Sequence, residues 1–450
     1  MVARGPMVGA LARLSTARAL LARPTARWLG VQSSSIASDG SGGEGRWWTR
    51  AIGAAVGAVG FGAAGISTLM AEAGTADSKA SIAAANGPLF RFGVIADIQY
   101  CDIDDAYNYA QTEIRHYRGT LAVLEEAVQT WNKTPDIKFI ADLGDIIDGQ
   151  TEFKKIGSRE GLDRVLSIFS NLIDGLPVVH MIGNHELYNF TRRELDDLLK
   201  NEMNESGAGY YSFRPVKDLP WKIIVLNSYE INMISNKEQT EEKEIALQYL
   251  ERHNPNNLRK MGVNWLDGMK GVERRYVPYN GALGERQLAW LDAELAESDR
   301  LGERVVVLAH VPLAPLSASL SCLSWDYTRA LEIFDEHPSV VSVLAGHDHA
   351  GGYWKRKGVH YLTFPSPLNV EDKDPFAHGV VDVHADKLVV HGFGGLVCTV
   401  APDLFTETGR SGTPFSAAVL RFADAPDAKE QGNGAAAVID GEDKATMATS

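Results

Sequence analysis

The stretch Phe139-Ile140-Ala141-Asp142-Leu143-Gly144-Asp145-Ile146-Ile147-Asp148-Gly149 is a mostly apolar run that breaks at Gly-Asp. Its length suits a buried strand, the glycine ends it, and Asp145 is delivered at the carboxyl end. The same construction recurs along the chain. Phe92-Gly-Val-Ile-Ala-Asp97-Ile-Gln99 precedes it. Val178-Val-His-Met-Ile-Gly183-Asn184-His185-Glu186, Val305-Val-Val-Leu-Ala-His310 and Val340-Val-Ser-Val-Leu-Ala-Gly346-His347-Asp348-His349 follow. One acid after one strand is ordinarily a helix cap or a turn residue. Five strands ending in Asp, Gln, Asn and His require a common cause, and ligands gather at the carboxyl ends of strands in α/β sheets. The pattern predicts one shared metal site.

Around these strands the chain alternates strand and helix. Leu121, Leu124, Val128 and Trp131 recur at helical spacing, as do Leu162, Val165, Leu166 and Phe169, and later Leu288, Leu291 and Leu295. Tyr210–Phe213 with Trp221–Leu226, and Gly379–His384 with Lys387–His391, read as antiparallel pairs. The expectation is an α/β fold of packed mixed sheets flanked by helices over residues 89–395. Residues 230–284 are rich in charge and poor in strand signals, and are expected to form a helical insertion or lid.

The termini have a different composition. Residues 1–45 hold no Lys and, as far as residue 38, no acid, with Arg4, Arg13, Arg18, Arg23 and Arg27 among Ala and Ser. That is the composition of an organelle transit peptide, mitochondrial or plastid. Within residues 46–75, the uncharged run Ala51–Ala71 follows Arg46-Trp47-Trp48-Thr49-Arg50. About 20 apolar residues suffice for a membrane span. Its low Leu and Ile content also suits the cleaved second half of a bipartite signal. Residues 76–88 read as a linker, and residues 396–450 as a largely disordered extension poor in large apolar groups.

The net charge of −14 excludes nonspecific nucleic-acid binding as a main role. It leaves room for phosphate chemistry, because bound cations reverse a local field. Three scattered cysteines give no disulfide framework.

Taken together, Asp97-x-Gln99, Gly144-Asp145-x-x-Asp148, Gly183-Asn184-His185-Glu186, His310 and Gly346-His347-x-His349 resemble the motifs of the calcineurin-like metallophosphoesterases. Gln99 stands where that superfamily usually has His. With Arg115-His-Tyr117-Arg118, Tyr279-Asn-Gly281 and Trp290, it makes the chain similar to the manganese-dependent ADP-ribose/CDP-alcohol diphosphatases. The resemblance implies a β-sandwich flanked by helices and a nucleotide substrate whose pyrophosphate is hydrolysed. It implies two divalent cations, Mn²⁺ or Mg²⁺, the amide oxygen of Gln99 being a harder ligand than imidazole. Asp97, Gln99 and His349 would hold one ion and Asn184, His310 and His347 the other, with Asp145 shared. His185 would act on the phosphoryl group and Asp148 would orient it. Tyr109 or Tyr100 would stack on a base, Arg115 or Arg118 would bind the second phosphate, and Tyr279, Asn280 and Cys322 would wall the nucleoside. Two alternatives stay open: a phosphomonoesterase or cyclic-nucleotide phosphodiesterase with the same metals, and a non-catalytic, membrane-anchored binding protein.

Overall fold

The structure, a computed structural model, describes residues 87–108, 111–200, 209–234, 241–260, 262–369, 377–393 and 415–422. The expected leader, the apolar run, most of the linker and Tyr109 lie outside these residues. Among the described residues no helix is long and apolar enough to cross a membrane.

The chain begins with β1 (Phe90–Ile95), a small hairpin of β2 (Ala106–Tyr107) and β3 (Ile114–Arg115), α1 (Gly119–Lys133) and β4 (Ile137–Asp142). Next come α2 (Gln150–Phe153), α3 (Ser158–Phe169), β5 (Val178–His180), α4 (Asn184–Asn189), α5 (Arg192–Leu199) and the pair β6 (Tyr211–Phe213) and β7 (Trp221–Val225). The second half holds α6 (Glu241–Glu251), α7 (Gly284–Leu301), β8 (Arg304–Leu308), α8 (Tyr327–Glu336) and β9 (Val340–Ala345). It ends with β10 (Gly352–Arg356), β11 (Val359–Thr363), β12 (His378–Val383), β13 (Lys387–Phe393) and β14 (Phe415–Arg421).

These strands form two six-stranded sheets, in the orders β14-β13-β12-β1-β4-β5 and β10-β11-β9-β8-β7-β6. Both are mixed. β1, β4 and β5 run parallel in the first sheet, and β7, β8, β9 and β11 in the second. Antiparallel strands complete the remaining edges.

Side chains alternate across each strand, so one strand feeds two cores. Phe92, Val94, Phe139, Ala141, Val306 and Leu308 point between the sheets, where Phe92 stacks on Phe139 at 4.9 Å. Such a pair contributes roughly 0.5–1.5 kcal/mol beyond its burial. Ile95 and Ile140 face the other way and meet Leu124, Trp131, Leu162 and Leu195 of α1, α3 and α5. Val305 and Val307 likewise meet Leu288, Leu291 and Leu331 of α7 and α8. Sandwich and flanking helices are those the resemblance implies. The helical periodicities also hold in detail: Leu124, Val128 and Trp131 are buried on α1, and the Trp131 indole N–H donates to Gly379 O at 3.0 Å.

The sheet continues past residue 395, where the sequence reading ended the domain. β14 pairs with β13 over seven residues from Lys387↔Arg421 to Phe393↔Phe415, and Ala418 and Leu420 enter the central core. The short run Ala-Ala-Val-Leu was hidden in an alanine-rich tail, and only the neighbouring strand gives it a reason to be extended.

Segment 230–284 is tied at its ends by paired backbone bonds between Ile231 and Ala282. Inside it, α6 and a 3-10 turn (Gly271–Arg275) share a small core of Leu247, Leu250, Leu258 and Tyr276 against Trp325. Buried Arg275 anchors this core, donating from Nε to Trp325 O at 3.1 Å with its guanidinium 4.0 Å from the Tyr276 ring centre.

Candidate metal centre

β1, β4 and β5 of one sheet and β8 and β9 of the other release their loops so that Asp97, Asp145, Asn184, His310 and His347 are all buried together. One ligating atom from each of Asp145, His310 and His347 falls within a common 4.8 Å. His310 Nε2 is 3.5 Å from Asp145 Oδ2, and Gln99 Nε2 lies 3.0 Å from the same oxygen. His349 Nε2 is 2.9 Å from Gln99 Nε2 and 3.7 Å from Asp97 Oδ1.

The backbone is bent to achieve this. Asp97, Gln99, Asp145 and His347 all have positive φ, between 43° and 69°. Non-glycine residues occupy that region at a cost of roughly 1–3 kcal/mol, and such strain collects at functional sites. Two glycines are required by contact. A Cβ on Gly183 would fall 2.0 Å from Asp145 Oδ1, and one on Gly346 would fall 2.6 Å from Asp97 Oδ2.

The donor set fits a cation. Asp97 Oδ1 and Gln99 Oε1 are buried acceptors without a hydrogen-bond partner, and His310 Nε2 is likewise unpartnered, a condition that a positive ion relieves and an apolar filling would not. The hydrogen bonds also fix which imidazole nitrogens are free. His310 Nδ1 donates to Leu143 O at 2.7 Å, leaving Nε2 for a ligand. Asn280 donates from Nδ2 to the carbonyls of Arg275 and Ser321, so its Oδ1 must accept from His347 Nε2–H at 2.7 Å, and His347 Nδ1 is left unprotonated.

The charges are strongly coupled. Burial opposes ionisation of Asp145, but the His310 and then the His185 imidazoles hold its carboxyl far below the usual range. Burial also opposes a proton on His310, yet Asp145 pushes it up to about 9. Burial and the neighbouring His310 drive His347 well below its ordinary value. His349 is pushed down to about 3 by burial and then by Arg115.

Several side chains differ from expectation. Gln99 turns its amide nitrogen, not its oxygen, toward Asp145 and His349. His185 Nδ1 receives the Gly149 N–H at 2.8 Å. Asp148 Oδ2 lies 3.3 Å from Nδ1 without an aligned bond, so the backbone rather than Asp148 orients the ring. A backbone N–H can only donate, so neutral His185 carries its proton on Nε2, 3.9 Å from Asp145 Oδ2. Arg115 pairs with Asp148 at 3.6 Å. Arg118 is held on the surface by Asp102 and Asp104, and Tyr100 is buried with its hydroxyl on Arg164, so both side chains already have partners within the chain. Tyr279 sits 5.9 Å from the His347 ring. Burial pushes the Cys322 thiol up, so it is held neutral.

The family model of calcineurin-like phosphoesterases matches residues 90–351, a span containing every metal-type residue named above. The chain belongs to the calcineurin-like phosphoesterase family. A manganese-dependent ADP-ribose/CDP-alcohol diphosphatase of Arabidopsis thaliana is 38% identical over 311 residues, covering 69% of this chain and 96% of the relative. Its counterpart of the same description in Homo sapiens is 33% identical over 319 residues, covering 68% and 90%. The crystal structure of a dimetal phosphatase from Danio rerio is similar with a TM-score of 0.65 at 30% identity, covering 75% of this chain and all 100% of that one.

The phosphoesterase site also uses residues to which the sequence assigned no role. Glu186 is buried, and its two carboxylate oxygens accept the N–H groups of Asp145, Ile146, Ile147 and Gly183 at 2.7–3.3 Å. It thereby clamps the β4 and β5 loops together. A Glu three residues after the Gly that precedes a helix is a capping signature that could have announced part of this role. The Tyr229 hydroxyl lies 3.1 Å from Asn184 Oδ1 and from Tyr279 O. Ser228 Oγ accepts from the His310 and Val311 N–H groups. Neither belongs to a motif, and no sequence signal marks them.

Proposed function

We propose that this metallophosphoesterase hydrolyses the pyrophosphate of nucleoside diphosphate derivatives, ADP-ribose and CDP-alcohols such as CDP-choline, with two Mn²⁺ ions. The observation that carries the reading is the convergence of Asp97, Gln99, Asp145, His310, His347 and His349 with acceptor atoms left unpaired in a buried space. The identity to relatives described as manganese-dependent diphosphatases supports the substrate class. Asp97, Gln99 and His349 would hold one ion, Asn184, His310 and His347 the second, and Asp145 would be shared between them. Ligation through Gln99 Oε1 requires its amide to turn by half a rotation. When bound, the ions lower the pKa of water and neutralise phosphoryl oxygens.

The remaining work falls to this chain's own groups. With Nδ1 engaged by Gly149, His185 offers a neutral Nε2–H that donates to a phosphoryl or leaving oxygen as negative charge grows there. Arg115, half-buried beside Asp148, has a planar fork suited to the second phosphate. The ring of Tyr279 and the thiol of Cys322 would bound the nucleoside, with Tyr109 as its stacking partner.

The purified protein tests this with Mn²⁺ or Mg²⁺ and a panel of ADP-ribose, CDP-choline, cyclic nucleotides and p-nitrophenyl phosphate. ADP-ribose or CDP-choline with Mn²⁺ is expected to give the highest kcat/KM. A cyclic nucleotide or the monoester ranking first would replace this reading with one of the others open to the family. Metal uptake has its own signature. Since Asp145 raises His310 to about 9, Nε2 must shed a proton to take a cation. Binding at pH 7 is expected to release about one proton from this group, and affinity to climb as pH rises toward about 9. Calorimetry in buffers of different ionisation enthalpy measures the release; none would contradict the assignment of His310.

A further inference from the structure

We propose that Asn369 is a positioning residue for His349, and that Glu113 of the β2–β3 hairpin sets the direction its amide faces. The inference rests on the reading of His349 as a metal ligand. Asn369 ends a 3-10 turn (Pro367–Asn369). Its Nδ2 donates to Glu113 Oε2, and its Oδ1 lies 3.2 Å from His349 Nδ1. A carboxylate only accepts, so the amide nitrogen belongs on the Glu113 side and the oxygen on the His349 side. An amide oxygen also only accepts, so His349 carries its proton on Nδ1 and keeps the Nε2 lone pair. That is the nitrogen 3.7 Å from Asp97 Oδ1.

The turn is fastened on several sides. Ser366 donates from Oγ to Asp97 O at 2.7 Å and from its backbone to His349 O at 3.2 Å. Leu368 N–H donates to Ser366 Oγ at 3.0 Å, and His116 N–H donates to Leu368 O at 2.8 Å. The turn therefore joins two residues of one expected ion site to the strand that follows Glu113. Two residues beyond Glu113, Arg115 reaches Asp148 on the His185 side. One short hairpin thus touches both the metal-holding and the phosphoryl-facing parts of the site. Partners of this kind fix the tautomer and orientation of a ligating imidazole, and their loss typically weakens metal binding about 10–100-fold.

The test is Mn²⁺ binding to the full chain, by calorimetry and by the electron paramagnetic resonance of bound ions, with circular dichroism melting as the folding control. Asn369→Leu removes the acceptor and is expected to weaken one of two Mn²⁺ sites about 10–100-fold while leaving the other unchanged. Asn369→Asp restores an acceptor but sets it against Glu113; adding Glu113→Gln supplies a donor and is expected to return affinity to within about threefold of the unsubstituted protein. A role confined to holding the turn would lower the melting temperature together with the affinity, whereas loss of the acceptor on His349 Nδ1 weakens one site with the melting temperature unchanged. Equal affinity of Asn369→Leu and the unsubstituted protein, or a double variant as weak as Asn369→Leu, overturns the inference. If Asn369→Leu does not fold, the comparison of Asn369→Asp with the double variant decides: tighter binding by the double supports the relay, and equal affinities overturn it. An unsubstituted protein that takes up no Mn²⁺ sinks the ligand reading itself and the inference with it.

Discussion

Asp145→Asn is expected to lower kcat/KM by at least about 10³-fold, equivalent to ~4 kcal/mol of barrier, and to reduce the number of bound Mn²⁺ ions. The side chain is almost isosteric, so packing is retained and the loss is electrostatic. Asp145 is buried, and its Oδ2 is the common neighbour of His310 Nε2 at 3.5 Å, Gln99 Nε2 at 3.0 Å and His185 Nε2 at 3.9 Å. Its Oδ1 accepts the His185 N–H at 2.9 Å. Among the described residues, Asp145 is the carboxylate with an oxygen that clusters within 4.8 Å of ligating atoms of both His310 and His347. Asparagine has one acceptor oxygen where the carboxylate has two, and it carries no charge to offset the ions. The measurement is steady-state kinetics with ADP-ribose beside metal content by elemental analysis. A variant keeping two ions and a tenth of the activity would refute the shared role of this carboxylate. It would also leave the non-catalytic reading no support, since turnover would still be present.

The site was legible where chemistry is written at a strand's end. Three of the five strands stop at a glycine, each delivers its next residue at the carboxyl edge, and five endings in metal-binding side chains define a centre without any contact being known. Gly183 and Gly346 were visible as motif letters, but their reason, the oxygens of Asp145 and Asp97 pressed against them, needed coordinates. What could not be read was direction. Whether Gln99 presents oxygen or nitrogen depends on Asp145 and His349, 46 and 250 positions away. Whether His185 is turned by Asp148 or by a backbone N–H depends on the geometry of one turn. Arg118 and Tyr100 were plausible substrate groups until Asp102, Asp104 and Arg164 engaged them. Long charged side chains commit to whichever partner the fold brings nearest, and sequence spacing does not reveal it. β14 was missed for a related reason, since an edge strand of small residues is extended only because β13 offers it a ladder.

Glu186→Gln is expected to destabilise the fold by about 3 kcal/mol and to cost at least about tenfold in activity. Oε2 of the carboxylate accepts from the Asp145 and Gly183 N–H groups, both at 2.8 Å, and Oε1 from Ile146 at 2.7 Å and Ile147 at 3.3 Å. Four N–H donors converge on its two oxygens. In glutamine one oxygen becomes an NH₂, so two buried donors meet a third, and each unsatisfied donor costs roughly 1–3 kcal/mol. The substitution is not rescued by removing a charge. Burial and then the negative Asp145 push Glu186 up to about 8, yet the Gly183 and Ile147 N–H groups pull the other way and are what the carboxylate is there to bind. The functional loss follows from position. Glu186 holds the N–H of Asp145 itself and that of Gly183, whose Cα passes against the Asp145 carboxylate. Slackening that clamp shifts the shared ligand relative to Asn184, and an error of about 1 Å in a catalytic group can cost 10²-fold. Urea unfolding followed by fluorescence gives the stability change, and metal titration beside kcat and KM gives the functional one. Stability within about 0.5 kcal/mol of the unsubstituted protein, the spread of ordinary surface changes, would mean that the two loops hold their register without this carboxylate.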